Sequence, residues 1–170
     1  MTTAKRNVFF SFHYEGDNWR AAQIRELCAG FLSANDRETE KSRSEPAVAQ
    51  WIDGQLKSAD CTVVLIGTET SDRRWVNYEI TKSWNGGKGL LGIDVHTLSD
   101  RHGEQSSAGQ NPFDKIAVDG CSLSRIVPVY QPWHMNDSDA RDCISHNIAD
   151  WIEDAILVRS RYAQNDARAT

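Results

Sequence analysis

Cys61-Thr-Val-Val-Leu-Ile-Gly67 decides the fold. The run carries no charge, four of its residues are β-branched, and polar residues do not recur at every second place. Such a segment predicts a strand covered on both faces, the condition of strands in a parallel sheet. Val8-Phe-Phe-Ser-Phe12 reads the same way. Leu90-Leu-Gly-Ile-Asp-Val95 and Arg125-Ile-Val-Pro-Val-Tyr130 are two further candidates, and Pro128, which has no N–H to donate, assigns the last of them to a sheet edge. Four strands are expected, with room for a fifth.

The intervening segments follow helical spacing. In Trp19 to Leu32, residues Ile24, Leu27, Cys28, Phe31 and Leu32 recur every three or four positions. Val48, Trp51, Ile52 and Leu56 share a second stripe, opened by Ser44 as N-cap and Pro46 in the first turn. A shorter helix over Trp75 to Trp84 stops at Asn85-Gly-Gly87. A last one carries Ile144, Ile148, Trp151, Ile152 and Ala155. Strands alternating with helices predict an α/β fold, an open, doubly wound parallel sheet flanked by helices in a single domain.

Two connections exceed what folding requires. Ser33 to Glu45 is dense in charge and reads as an exposed loop. His96 to Ser124 is too long for an ordinary crossover and is either functional or an insertion with short elements of its own. From Arg159 the chain turns polar and reads as a frayed end. The domain is accordingly placed at residues 1–160, with 161–170 as a polar C-terminal tail.

The chain of 170 residues is 39% hydrophobic and 25% charged, enough to bury a core unaided. Nineteen Lys and Arg against 24 Asp and Glu leave a formal charge of −5, the wrong sign for gathering phosphate backbones, so nucleic acid is not an expected ligand. No apolar run approaches the roughly 18 residues of a membrane span, and Met1 to Arg6 is polar, so a cytoplasmic protein without membrane contact is expected. Cys28, Cys61, Cys121 and Cys143 are scattered, form no Cys-x-x-Cys pair and read as reduced thiols with no metal site.

In an open parallel sheet, ligands bind beyond the carboxyl ends of the strands. Ser11-Phe-His-Tyr-Glu15 leaves the first strand there, and Thr68-Glu-Thr-Ser-Asp72 leads from the second into Arg73-Arg-Trp-Val-Asn-Tyr-Glu79. No Gly-x-Gly-x-x-Gly follows the first strand, and Gly86-Gly-Lys-Gly89 stands between a helix and a strand, the reverse of a phosphate loop. A Gly-x-Ser-x-Gly elbow is also absent. What remains is Glu79, one turn into a short helix, with Trp75 four residues earlier on the same face. By spacing alone Glu79 reads first as an ordinary surface glutamate. Phe10 and Phe12 read as core, Ser11 as a backbone partner and His13 as an ordinary loop residue, while their strand-end places make all four candidate contacts. His96 ends another strand. Asn111 to Asp114 reads as an Asx-type turn.

Phe9-Phe-Ser-Phe-His-Tyr14, Val64-Leu-Ile-Gly67, Arg73-Arg-Trp-Val-Asn-Tyr-Glu-Ile80 and Asn111-Pro-Phe-Asp114 together resemble the TIR-like domains of the Thoeris antiphage defence system. The third segment also resembles the Trp-x-x-x-Glu helix of Toll/interleukin-1 receptor domains that consume NAD. Ser33 to Glu45 does not match. The resemblance implies a flavodoxin-like sheet, NAD as substrate with no further cofactor and no metal, and Glu79 as the catalytic glutamate. It places Phe10, Ser11, Phe12, His13 and Trp75 as substrate contacts. The implied activity cleaves the nicotinamide–ribose bond and yields an ADP-ribose-type, cyclic signal for a separate effector protein, with self-association on activation and a phage-derived trigger. The alternatives are a TIR-type scaffold that self-assembles or docks a partner, with Glu79 structural, and a flavodoxin-like binder of a nucleoside or flavin. A phosphoacceptor receiver is not expected, because His13 stands where an acidic cluster would be needed.

Overall fold

A computed structural model describes residues 5–30, 32–34, 44–132 and 136–168. In chain order the main elements are β1 (Arg6–Ser11), α1 (Tyr14–Cys28), β2 (Leu32–Ala34), α2 (Glu45–Ser58), β3 (Cys61–Ile66), α3 (Arg74–Asn85), β4 (Gly89–Asp94), β5 (Ala117–Val118), β6 (Cys121–Ser122), β7 (Val129–Tyr130) and α4 (Asp137–Arg168). β2, β1, β3, β4 and β7 pair in that order, all parallel. The expected doubly wound sheet is therefore present, and every residue of β3 and β4 is buried.

The side-chain period of two divides the sheet between two helical layers. Val8, Phe10, Val63, Leu65, Leu91 and Ile93 face α1 and α4, where Ile24, Cys28, Ile144, Ile148 and Ile152 meet them. On the other face Phe9 packs with Val48, Ile52 and Leu56 of α2, while Val64, Ile66 and Leu90 pack with Val76, Ile80 and Trp84 of α3. The predicted stripes of α2 and α4 are the buried ones. Trp151 lies half-buried, stacked on Tyr130 with ring centroids 4.2 Å apart and planes 9° off parallel.

Ser44 is the N-cap residue of α2, as expected, with no side-chain bond to the helix. Two expectations are revised. The first helix begins earlier and ends at Cys28, and Leu32, read as the end of its stripe, opens the edge strand β2 (Leu32–Ala34). The tail is not frayed from Arg159: α4 continues to Arg168, because Arg159 donates from Nε and Nη2 to the Trp84 carbonyl at 3.1 and 2.9 Å, and Tyr162 Oη donates to Asp119 Oδ2 at 2.6 Å. The charged loop expected at Ser33 to Glu45 lies almost wholly outside the described residues.

Edge placement of Pro128 holds, since β7 closes the sheet and the Pro128 carbonyl accepts from Gly92 N–H at 3.0 Å. His96 to Ser124 does carry elements of its own: 3-10 turns at Pro112–Lys115 and Leu123–Arg125, and the antiparallel β5–β6 hairpin. Its Phe113 and Leu123 are fully buried against the α3 layer, and Asn111 Oδ1 accepts from Phe113 N–H at 2.9 Å, the anticipated Asx turn.

The start of β1 is tied to α4 by a two-pronged ion pair, Arg6 Nε and Nη2 to the two Glu153 oxygens at 2.7 and 2.9 Å. Arg6 holds the Glu153 carboxyl below its ordinary range. The folded state thus favours the charged form, and its stabilisation is present above the unfolded carboxylate range and lost as pH falls through the folded value. Glu153→Gln is expected to cost about 0.5–1 kcal/mol at neutral pH in urea unfolding, a deficit that closes on acidification. A deficit unchanged at low pH would show that charge is not its source.

Candidate active site

Ser11 closes β1, and its side chain points to the α2/α3 face because it lies two residues on from Phe9. Glu79 occupies the second turn of α3. Its position, three residues on from Val76 and one before Ile80, turns it toward the sheet. Both residues are wholly buried, and Ser11 Oγ donates a hydrogen bond to Glu79 Oε2. One turn further along α3, Ser83 Oγ donates to the Glu79 carbonyl at 2.7 Å and lies 2.7 Å from Thr62 Oγ1 of β3. A polar seam therefore runs through an otherwise apolar helix–sheet contact. A buried carboxylate costs several kcal/mol unless it is hydrogen-bonded, so its retention under a helix marks a candidate site.

Trp75, one turn before Glu79, is half-buried among Phe9, Val48 and Ile52. Tyr78 meets its ring edge-on at 5.5 Å, and the Arg74 guanidinium lies 5.1 Å from its centroid. Ser11 and Glu79 are thus brought together, with Trp75 one turn away on the same helix. Phe10 and Phe12 are not: both belong to the core facing α1 and α4, across the sheet from Glu79. His13 stands at the N-cap of α1, its Nδ1 3.8 Å from Glu69 Oε2, and that carboxylate also receives Arg73 Nη2 at 2.9 Å.

A crevice of about 220 Å³ opens beside His13 and is lined also by Asp17, Arg20, Thr68, Glu69 and Ser106. At that size it falls below the 300–1,000 Å³ of pockets that take a whole small ligand. Asp17 and Arg20, both buried, pair at 3.2 Å, and burial raises the Asp17 carboxyl above its ordinary range against the pull of Arg20. Arg20 also donates to the carbonyls of Leu98 and Glu104 at 2.8 and 3.0 Å, and Thr68 Oγ1 to that of Ser107 at 2.7 Å. Residues 98–107 are thereby tied down across the carboxyl ends of β1 and β3. Nothing in the spacing of Asp17 and Arg20, three apart on a helix, distinguishes this buried clasp from a surface pair. At the end of β4, His96 Nδ1 lies against Asp94 Oδ1, which also accepts from His96 N–H at 3.1 Å.

Among the described residues no group of three or more His, Cys, Asp or Glu is arranged to hold a metal ion. The four cysteines are free thiols, and burial pushes Cys28 up to about 12 and Cys61 higher still, so neither supplies a thiolate nucleophile at neutral pH. No described helix is long and apolar enough to cross a membrane.

Comparison with known proteins gives the family and the fold. The chain is 36% identical over 138 residues to a Bacillus cereus (strain MSX-D12) protein named "Putative cyclic ADP-D-ribose synthase ThsB1", a match covering 75% of this chain and 71% of that one. In fold it is similar to the Clostridium botulinum CMP N-glycosidase BcmB, at 11% identity and a TM-score of 0.51, covering 83% of this chain and 98% of that one. Residues 9–100, which hold Ser11, Trp75 and Glu79, match the model of the family described as "Thoeris protein ThsB, TIR-like domain". This chain belongs to that family, the TIR-like domains of the Thoeris protein ThsB.

Proposed function

We propose that the protein cleaves the bond between nicotinamide and ribose in NAD and closes the remaining ADP-ribose into a cyclic signal for antiphage defence. One observation carries the reading: a glutamate on the Trp-x-x-x-Glu helix is buried at the carboxyl end of β1, where Ser11 bonds its carboxylate. Family membership and the name of the Bacillus relative support it.

A site with one carboxylate suits this bond. Sugar bonds to oxygen leaving groups take an acid that protonates the departing oxygen. Nicotinamide in NAD is already a pyridinium cation: the C–N bond breaks, its electron pair goes to the ring nitrogen, and a neutral molecule departs without a proton. Positive charge then grows on the ribose carbon, and the Glu79 carboxylate, held in a dry setting, stabilises it by several kcal/mol. Either a hydroxyl of the adenosine half bonds to that carbon and loses its own proton, or an adenine ring nitrogen bonds to it through its lone pair and the base sheds a proton from its amino group; both close the ring. Water arriving first gives ADP-ribose instead. In this role Trp75 walls the site and excludes water. Because the Glu79 side chain is covered, ribose reaches it only when neighbouring groups move aside, a step suited to a phage-derived trigger and self-association. The product then acts on a separate effector protein.

The test is nicotinamide release from NAD by the purified protein, with mass analysis of metabolites from phage-challenged cells that express it. Nicotinamide and a cyclic ADP-ribose-type product are expected. If neither setting yields nicotinamide, the enzymatic reading falls and a scaffold takes its place.

A further inference from the structure

We propose that Ser11 is a positioning residue for the reaction, its hydroxyl fixing the orientation of the Glu79 carboxylate rather than touching substrate. This rests on the reading of Glu79 as the catalytic group. Three observations carry it.

Ser11 is wholly buried and its side-chain donor is committed to Glu79 Oε2, so as a substrate contact it would have to give up that bond. Anchored through one oxygen, a carboxylate has the plane of the other set with it. On this face of β1 and β3, Phe9, Val64 and Ile66 meet the helices with apolar side chains, and the hydroxyl of Thr62 is set against Ser83. The hydroxyl at position 11 is set against the acid that the helix opposite carries.

The geometry of the seam is also matched. Ser11 pairs with Val64, two residues along β3 from Thr62, a step of about 6.6 Å along a strand. Glu79 and Ser83 stand four residues apart on α3, about 6 Å along a helix. The helix and the sheet therefore meet at two rungs of nearly equal spacing, Ser11 with Glu79 and Thr62 with Ser83. The second rung, tied in turn to the Glu79 carbonyl, holds the helical turn. The two rungs thus divide the work: Thr62 and Ser83 fix the backbone and Ser11 fixes the charge.

Their separate roles can be read out with Ser11→Ala, Ser11→Thr and Thr62→Val. In nicotinamide release, Ser11→Ala is expected to lower kcat by roughly tenfold to a hundredfold with KM little changed, the scale of losing a group that orients a catalytic one. Removing a donor to the charged form also raises the protonation midpoint of the carboxyl. The acid limb of the pH–rate profile should therefore move up by about one pH unit. Ser11→Thr, which keeps the hydroxyl, should restore the limb. Thr62→Val should lower thermal stability and leave the limb where it is. Carbon-13 titration of the Glu79 carboxyl, assigned with Glu79→Gln, gives the same comparison without turnover: the midpoint should rise in Ser11→Ala alone. An unshifted midpoint and limb in folded Ser11→Ala, with Glu79→Gln inactive, overturns the role of Ser11 only. Full activity in Glu79→Gln overturns the catalytic reading beneath it.

Discussion

Glu79→Gln is expected to lower nicotinamide release by about 10³-fold or more, and to abolish the cyclic product in phage-challenged cells, while the protein stays folded. The amide has the shape of the carboxylate, and its oxygen can still accept from Ser11 Oγ. What it lacks is the negative charge that opposes the ribose cation. The electrostatic effect and the packing effect are therefore separated by one atom. Circular dichroism and thermal unfolding should match the parent within about 1 kcal/mol. Cells that still make the product with Gln at 79 would show that charge at this position is not used.

The second large effect is on stability. Gly109 lies so close to the end of β3 that a Cβ there would drive into the Gly67 carbonyl oxygen, well inside the 3.0 Å that real Cβ atoms keep. Backbone on both sides cannot yield as a flexible side chain can. Gly67 is itself closed to a side chain, because its Cβ would enter the buried Asp17 carboxylate. Gly109→Ala is expected to cost about 3 kcal/mol, and to lower Tm by roughly 10 °C for a domain of this size. Gly54→Ala is the matched control. It lies within α2 with nothing near its Cβ, and the substitution should stabilise by up to about 1 kcal/mol. A Gly109→Ala protein as stable as its parent would mean that residues 98–111 are not seated on the strand ends.

The sheet was legible because β1, β3 and β4 are buried on both faces, which leaves long uncharged runs. β2 was not: a three-residue edge strand has too few side chains to declare a period, and the helical stripe before it runs on into Leu32. The end of α4 was misread for a related reason. Its polar composition is that of a tail, and only Trp84 and Asp119, distant in sequence, supply the partners that hold Arg159 and Tyr162. At the site, the Trp75–Glu79 spacing gave the shared face but not its direction. Burial of Glu79 depends on α3 lying over β1 and β3, which no local pattern encodes. Phe10 and Ser11 show the same limit, since neighbours in a strand must point to opposite layers and only the tertiary fold says which layer holds the acid.

The covering of Glu79 has a bearing on how such a protein can be kept by a healthy cell. NAD is the common electron carrier of metabolism, and an unguarded hydrolase would drain it continuously. On the reading proposed above, in which the buried Glu79 is the reactive acid, the folded chain can be stockpiled in a quiescent state, so that alarm depends on uncovering a group already in place rather than on fresh synthesis.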